Sequence, residues 1–263
     1  MNSISRTKNW EVDKKEVLES VVPDSTETHK IVPHSYFVET SEKLIEEENL
    51  LLKESKYYMS ANQMKYFGKY TFDKKIYPED QKEEQHNPNI TMGFVNSHDK
   101  SLASCVFFGT LMPLCANEGW ISRMWFKRKH TGNIEEDLNV GIKACLLNLD
   151  SFSEGYAQIM ENYKNHNVSD SEVRSLLVES ANKKVIPSSK ILTVYKEWLA
   201  PQFDYDNNDK NIYRLYNTFT TILRDYKDHA VTNPKRNFAL LEILSDITGN
   251  KTKVTSVPVD NIE

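Results

Sequence analysis

The sequence is poor in glycine and cysteine and has no long apolar run. It has eight glycines in 263 residues, and neither GxGxxG nor GxxxxGKS occurs, so nucleotide-phosphate loops of those types are not expected. Three cysteines, Cys105, Cys115 and Cys145, include no CxxC pair, which argues against a disulfide framework. No apolar run approaches the ~20 residues of a membrane-spanning helix, and the N-terminal residues lack the apolar core of a secretory signal. We therefore expect a cytoplasmic protein with reduced thiols and no cofactor.

The composition is that of a folded but acidic protein. Hydrophobic residues make up 39% of the chain and aromatic residues 11%, which is enough for a buried core. The formal net charge is −5. A nucleic-acid site on such a chain has to be a local basic patch rather than a general property of its surface.

Turn residues and apolar spacing divide the chain into three parts. Residues 1–30 are predicted to be a flexible N-terminal arm and residues 249–263 a tail. Between them we predict one α+β domain over residues 31–248, sheet-rich over 57–130 and helical over 133–248. After a helix near 40–54, the sheet consists of a hairpin, with strands near 90–96 and 102–111, and a third strand over 119–129.

A long helix is expected to follow the third strand and pack on the sheet. Asn133 and Glu136 have the spacing of a capping box. Behind them, apolar residues recur at alternating intervals of four and three for about 30 residues, roughly 45 Å of helix. Further helices are predicted within residues 169–184, 187–200, 209–228 and 233–250, the first capped by Ser169 and Glu172.

The third strand carries the clearest functional signal, the stretch "ISRMWFKRKH". Strand alternation separates its side chains into two sets, Arg123, Trp125, Lys127 and Lys129 on one face and Ser122, Met124, Phe126 and Arg128 on the other. Single-stranded DNA is bound by Lys and Arg contacts to phosphates and by bases stacking on aromatic rings, worth about 1–3 kcal/mol per base. We predict phosphate contacts from Arg123, Lys127, Arg128 and Lys129, stacking on Trp125 and Phe126, and His130 at the end of the site. The alternative is an ordinary solvated strand whose tryptophan packs beneath a neighbour.

Other basic residues could extend this surface. Arg174, Lys183 and Lys184 are weaker candidates for the opposite wall of a groove. Helical cations downstream could lengthen it, namely Arg214, Arg224, Lys227, Lys235 and Arg236. The helix pair over 169–199 could also be a helix-turn-helix, but its connection is long for that motif and core packing is favoured.

Two chemical alternatives compete with this binding site. His98 and Asp99 in the hairpin turn, together with His130, could serve a hydrolase or nuclease, but Asn96–Asp99 are also ordinary turn formers and no nucleophile is specified. The cysteines and His130 could bind zinc, but they are singletons rather than the close pairs of structural sites. We expect neither catalytic residues nor a metal.

Six segments resemble, in order, the landmarks of a phage- and plasmid-borne family, domain of unknown function 932. They are "IVPHSYFVE", "KYFGKYTF", "GFVNSHDKS", "LCANEGW", "KHTGNIEEDL" and "NIYRLYNTFT", and together they span roughly residues 31–245. Positions that match features of the family pattern are His98, Asp99, Ser101, Cys115, Asn117, His130, Thr131 and Gly132. Lys100 and Glu118 depart from it, since the family more often has glycine there.

The resemblance implies an accessory protein of a mobile element. The order of hairpin, third strand and helix is also similar to phage single-strand annealing proteins, and the size and layout resemble the phage single-stranded-DNA-binding regulators that recruit a second phage RNA polymerase. We therefore expect a non-enzymatic, homo-oligomeric single-stranded-DNA-binding protein in an infected bacterial host. It would act in phage transcription regulation, replication or recombination, with a phage RNA polymerase or replication and recombination proteins as further partners. The rival class is a protein-interaction module, such as an anti-restriction or host-takeover factor.

Overall fold

The computed structural model describes residues 11–80, 86–112, 118–203, 209–224, 229–249 and 255–256, without the side chains of 118, 120–125, 229–234 and 255–256. The described strands are β1 Glu11–Val12, β2 Leu52–Met59, β3 Lys65–Lys75, β4 Asn89–Ser97, β5 Ser104–Leu111, β6 Glu118–Arg128 and β7 Thr255–Ser256. The described helices are α1 Lys14–Leu18, α2 His34–Glu47, α3 Ile134–Leu147, α4 Leu149–Lys164, α5 Asp170–Asn182, α6 Ile191–Leu199, α7 Ile212–Arg224 and α8 His229–Thr248. None of the helices in these ranges is both long and apolar enough to cross a membrane.

The sheet is a meander in which each strand pairs with its neighbour in sequence. The strand order is β1-β2-β3-β4-β5-β6-β7. Strands β1 to β6 are antiparallel, and β7 pairs in parallel with Met124 and Trp125 of β6. The α+β class, the hairpin and the third strand are confirmed. The sheet has more strands than the three whose positions were predicted, because β2 and β3 extend it on the β4 side and β1 and β7 pair at its two edges.

Both faces of the sheet are covered. Alternate residues such as Phe94 and Phe108 point into the main core with the helices. Phe67, Val95 and Phe107 point to the other face, where Phe238 of α8 packs against them. Every residue of β4 is buried, as expected for a strand covered on both sides.

The predicted 30-residue helix is wrong in one respect, because the chain breaks at Asn148 into α3 and α4. The Asn148 side chain donates to Ala144 O at 2.7 Å, a local bond of the kind that competes with helix propagation. Because sheets twist, one straight helix of this length would diverge from the sheet, whereas two helices joined at a break can each pack on it. Asn133 is the N-cap of α3, but its side chain makes no capping bond. The capping box of Ser169 and Glu172 on α5 is confirmed.

The predicted N-terminal arm is packed against the domain from residue 11 onward. Strand β1 pairs with β2, and Val17 of α1 is fully buried in the main core. The helix predicted near 40–54 is α2, which begins earlier, at His34. Residues 24–33, named here the strap, connect these parts across one end of the sheet. The backbone N–H of Lys30 donates to His130 O at 2.9 Å, just beyond the end of β6.

Candidate functional site

The basic stretch lies at the end of β6. Lys127, Arg128 and Lys129 are exposed there. The register pairs Ser104 with Arg128 and Cys105 with Lys127. Trp125 is paired with Phe107, but its side chain and that of Arg123 lie outside the described residues. Three of the four cations predicted to contact phosphates are therefore described, and all three face solvent.

Phe126 is not available for base stacking, and that prediction is wrong. Its side chain is 3% exposed and belongs to the main core. The ring packs so closely on α3 that a Cβ added at Gly141 would come within 2.6 Å of both Cδ atoms. Strand alternation put Phe126 on the opposite face from Lys127, and the helix covers that face.

Acidic residues at the start of α3 neutralise part of the basic stretch. Arg128 Nε lies 2.6 Å from Asp137 Oδ2, and Lys30 Nζ lies 4.0 Å from Glu135 Oε2. The Lys30–Glu135 pair is exposed, and such pairs typically contribute about 0–1 kcal/mol to stability, so a polyanion could replace Glu135 at small cost. The Arg128–Asp137 pair differs, because the Asp137 side chain is 19% exposed and its Oδ2 is buried, so removing Arg128 from it would leave that carboxylate without its cation.

Several chain segments bring cations to this end of the sheet. Lys30 comes from the strap, which is bonded to His130. Lys100 comes from the β4–β5 turn and reaches Thr26 Oγ1 of the strap at 3.4 Å. With the end of β6 they form a surface named here the basic end, consisting of Lys30, Lys100, Lys127, Arg128 and Lys129.

The weaker candidates lie in other parts of the fold. Lys183 pairs with Glu179 and Glu242, and Arg174 donates to Tyr195 OH at 2.8 Å, so both contact helices. Lys184 is exposed after α5. Arg214 cannot line a groove, because it is 6% exposed and donates to the carbonyls of Trp198 and Leu199 at the end of α6.

The remaining helical candidates differ in exposure. Lys235 is exposed, Arg224 and Arg236 are half-buried, and Lys227 lies outside the described residues. All of them belong to α7, α8 or the chain between them, rather than to the basic end.

His130 belongs to a buried group of imidazoles rather than to a DNA-facing surface, so its prediction as a binding residue is wrong. The histidine cluster consists of His29, His34, His98 and His130, all buried. The His34 and His98 rings stack with centroids 3.8 Å apart, and those of His29 and His130 are 4.6 Å apart. Its members come from the strap, the start of α2, the β4–β5 turn and the end of β6.

Backbone carbonyls and two polar side chains hold the histidine cluster in place. His34 Nε2 lies 3.0 Å from Gln63 O, His98 Nε2 lies 3.0 Å from Val32 O, and His130 Nδ1 lies 3.2 Å from Lys30 O. Asn96 Nδ2 bonds His34 Nδ1 at 3.0 Å and donates to Val32 O. Ser104 Oγ lies 3.0 Å from Asn96 Oδ1 and 3.2 Å from His130 Nε2.

These surroundings keep the imidazoles uncharged near neutral pH. Burial lowers the pKa of His34 to about 3 and that of His130 to about 4. Burial also lowers the pKa of His29 and His98. A general base works best with a pKa near the operating pH. The contact of Ser104 with His130 therefore favours a structural role over hydrolysis, because the base is weak and both side chains are buried.

The histidine and cysteine residues make no metal centre within the described ranges. No group of three or more His, Cys, Asp or Glu side chains there could hold a metal ion. Burial raises the pKa of the Cys105 and Cys145 thiols to about 12, so neither supplies a thiolate at neutral pH. Cys115 and Asn117 lie outside the described residues.

Sequence reasoning missed His29, His34, Asn96 and Ser104 as members of one cluster. The only signal was that His34 and Asn96 fall inside the quoted family landmarks. The pair is 62 residues apart in the chain, so no local spacing predicts their contact.

Comparisons with known proteins give one match. A family model described as "Domain of unknown function (DUF932)" matches residues 24–244, which includes the strap, the histidine cluster and the basic end. No curated protein and no solved structure matches the chain.

Proposed function

The chain belongs to the DUF932 family of unknown function, and we propose that this member binds single-stranded DNA without catalysing a reaction. The observation that supports the proposal is the basic end, where four cations from the turn and β6 gather with Lys30 on an otherwise acidic protein. Cations of this kind attract phosphates through a term that does not depend on base sequence.

The proposed binding mode uses the end of β6 as a track. Lys127 and Lys129 are exposed two residues apart, and Trp125 precedes Lys127 in the same strand. Phosphates would contact the two lysines, and Arg128, whose Nε faces Asp137, would offer its remaining guanidinium N–H groups to a phosphate. A base would stack on Trp125, the other aromatic predicted for this role.

The biological setting is part of the same proposal. The protein would act as a homo-oligomer in the cytoplasm of a bacterium, in transcription, replication or recombination of a phage or mobile element. Repetition along the strand supports this, because linked copies raise the avidity of a single small basic patch.

The test is fluorescence anisotropy of labelled single-stranded and duplex oligonucleotides across a salt series. A single-strand preference with log K falling linearly against log salt is expected. Replacing Lys127 and Lys129 by alanine should lower the salt slope by about 1.4, because each neutralised phosphate on a single strand accounts for ~0.7 of the slope. Lys190→Ala with Lys196→Ala removes two exposed lysines elsewhere and should change neither the slope nor the affinity.

Trp125→Ala separates stacking from core packing. Removal of one stacking platform should weaken binding by about 5- to 150-fold at an unchanged salt slope, from ~1–3 kcal/mol. If Trp125 instead packs beneath a neighbour, the variant will lose thermal stability and keep its affinity. Absence of binding to either DNA at low salt refutes the proposal and favours the protein-interaction alternative.

A further inference from the structure

The strap is hydrogen-bonded to the rest of the domain largely through imidazoles, and its Val32 side chain is buried in the main core. His98 Nε2 donates to Val32 O and His130 Nδ1 donates to Lys30 O. Further bonds are the Asn96 donation to Val32 O, the Lys30 amide bond to His130 O and a bond of the His29 ring to the His98 backbone. Lys100 adds one contact, at 3.4 Å. Most of this attachment therefore involves residues of the histidine cluster or Asn96, which bonds His34.

Protonation of the histidine cluster is unfavourable, because two of its ring nitrogens have no hydrogen-bond acceptor beside them in the described part of the chain. His29 Nε2 and His98 Nδ1 are buried without a hydrogen-bond partner among the described residues. In a neutral ring such a nitrogen is an unprotonated lone pair, but protonation would turn it into a buried donor with no acceptor. The stacked rings of His34 and His98, 3.8 Å apart, and the tilted rings of His29 and His130, 4.6 Å apart, would also place like charges side by side.

The charges facing the cluster give little compensation. Asp99 in the β4–β5 turn favours protonation of His29 and His98, but Lys100 beside it opposes that of His29. Asp99 is also paired with Lys65 of β3 at 3.7 Å. From β3, the Tyr66 ring stacks on His34 and adds no charge. At the rim, the carboxylate of Glu135 already faces Lys30.

We propose that the histidine cluster is an acid-sensitive latch, whose protonation releases the strap from the end of the sheet while the sheet and helices stay folded. The strap lies between α1 and α2 and contains no helix or strand of its own. Its release breaks a few hydrogen bonds and exposes the Val32 side chain, whereas the strands keep their ladders. Opening also exposes the rings of His98 and His130 beside the basic end.

The size of the effect follows from proton linkage. A histidine that stays neutral when the strap is closed, and titrates near pH 6.5 when it is open, favours opening about tenfold for each pH unit below 6.5. At pH 5 this is about thirtyfold for each such histidine. Burial lowers the pKa of all four rings, so the closed strap is stable above about pH 6.5 and is progressively lost as the pH falls.

Hydrogen exchange by mass spectrometry on the full chain tests the latch. Protection factors, corrected for the pH dependence of chemical exchange, are compared at pH 7.5 and pH 5. The Lys30 amide and its strap neighbours should lose at least about thirtyfold in protection, whereas the β4 amides keep theirs. Unchanged strap protection at pH 5, or an equal loss across β3 and β4, overturns the proposal.

Two matched variants assign the effect to the cluster. His98→Gln keeps a neutral donor for Val32 O but cannot be protonated, so the acid-induced loss of protection should be smaller than in the wild type. His166→Gln removes a histidine that lies outside the cluster, between α4 and α5, and should behave like the wild type. If the two variants lose the same strap protection at pH 5, the acid response does not come from His98, and the latch proposal is overturned. If His98→Gln does not fold, the wild-type comparison at the two pH values still decides.

Discussion

Replacing Gly141 by alanine should destabilise the protein, although the change improves the helix. In a helix interior, Gly→Ala stabilises by about 1 kcal/mol through backbone entropy. Here the new Cβ would lie within 2.6 Å of both Cδ atoms of Phe126, and nearer still to its Cγ. The ring is buried and its backbone is fixed in β6, so it cannot swing away as the end of a flexible side chain could.

The net effect of Gly141→Ala depends on whether the cost of overpacking exceeds the gain in helix propensity. Overpacking a core costs typically about 1–3 kcal/mol, and the clash with three ring atoms next to the Phe126 backbone places Gly141→Ala toward the upper end. Subtracting the ~1 kcal/mol gain in helix propensity leaves a net loss of about 2 kcal/mol. Urea unfolding at pH 7.5 should show a lower midpoint at an unchanged slope, because the surface exposed on unfolding stays the same.

A double-mutant cycle assigns this loss to the ring. Phe126→Leu alone should cost roughly 1 kcal/mol, and it makes room for the new methyl group. In that background Gly141→Ala should be nearly neutral or stabilising by up to about 1 kcal/mol, giving a favourable coupling of about 2–3 kcal/mol. Stabilisation by Gly141→Ala in the wild type, or additive losses in the cycle, would contradict the packing of β6 on α3. Either result would also make Phe126 a candidate for base stacking again.

Three further predictions concern other parts of the molecule. Between pH 6.5 and 5, His34 and His130 should each lower the free energy of unfolding by about 2 kcal/mol, because their folded pKa values are about 3 and about 4. Urea midpoints that do not change with pH would contradict this. Arg214→Met should cost about 2–4 kcal/mol by leaving carbonyls at the end of α6 unpaired, measured by urea unfolding followed by circular dichroism, and Arg214→Lys should not restore it. Ser169→Ala should cost about 1 kcal/mol through loss of the α5 cap; urea midpoints within error of the wild type would refute that.

Patterns of neighbouring residues correctly predicted the strands β4, β5 and β6. The alternation of "ITMGFVNS" and "SCVFFGTL" gave β4 and β5, and alternation in β6 correctly separated Phe126 from Lys127. It could not tell which face a helix would cover. The covered face depends on α3, which lies further along the chain. For this reason Phe126 was predicted to contact DNA, whereas the structure places it in the core.

Periodicity also failed to predict the break at Asn148. The apolar spacing continues in register from Cys145 to Leu149 and Phe152, because it reports which face is buried and not whether the axis is straight. The break became visible only with the side-chain bond to Ala144 and the sheet on which both halves pack.

The histidine cluster links the family landmarks to one place in the fold. His34, His98 and His130 fall in three separate quoted segments, yet they meet where the strap crosses the end of the sheet. Their burial and neutral state suit attachment of the strap, and the exposed lysines beside them suit contact with a polyanion. The two roles therefore respond to different changes: histidine variants should alter stability and its pH dependence, and lysine variants should alter the salt dependence of DNA binding. Loss of DNA affinity in a folded His98→Gln protein at pH 7.5 would mean that the two roles are coupled through the strap.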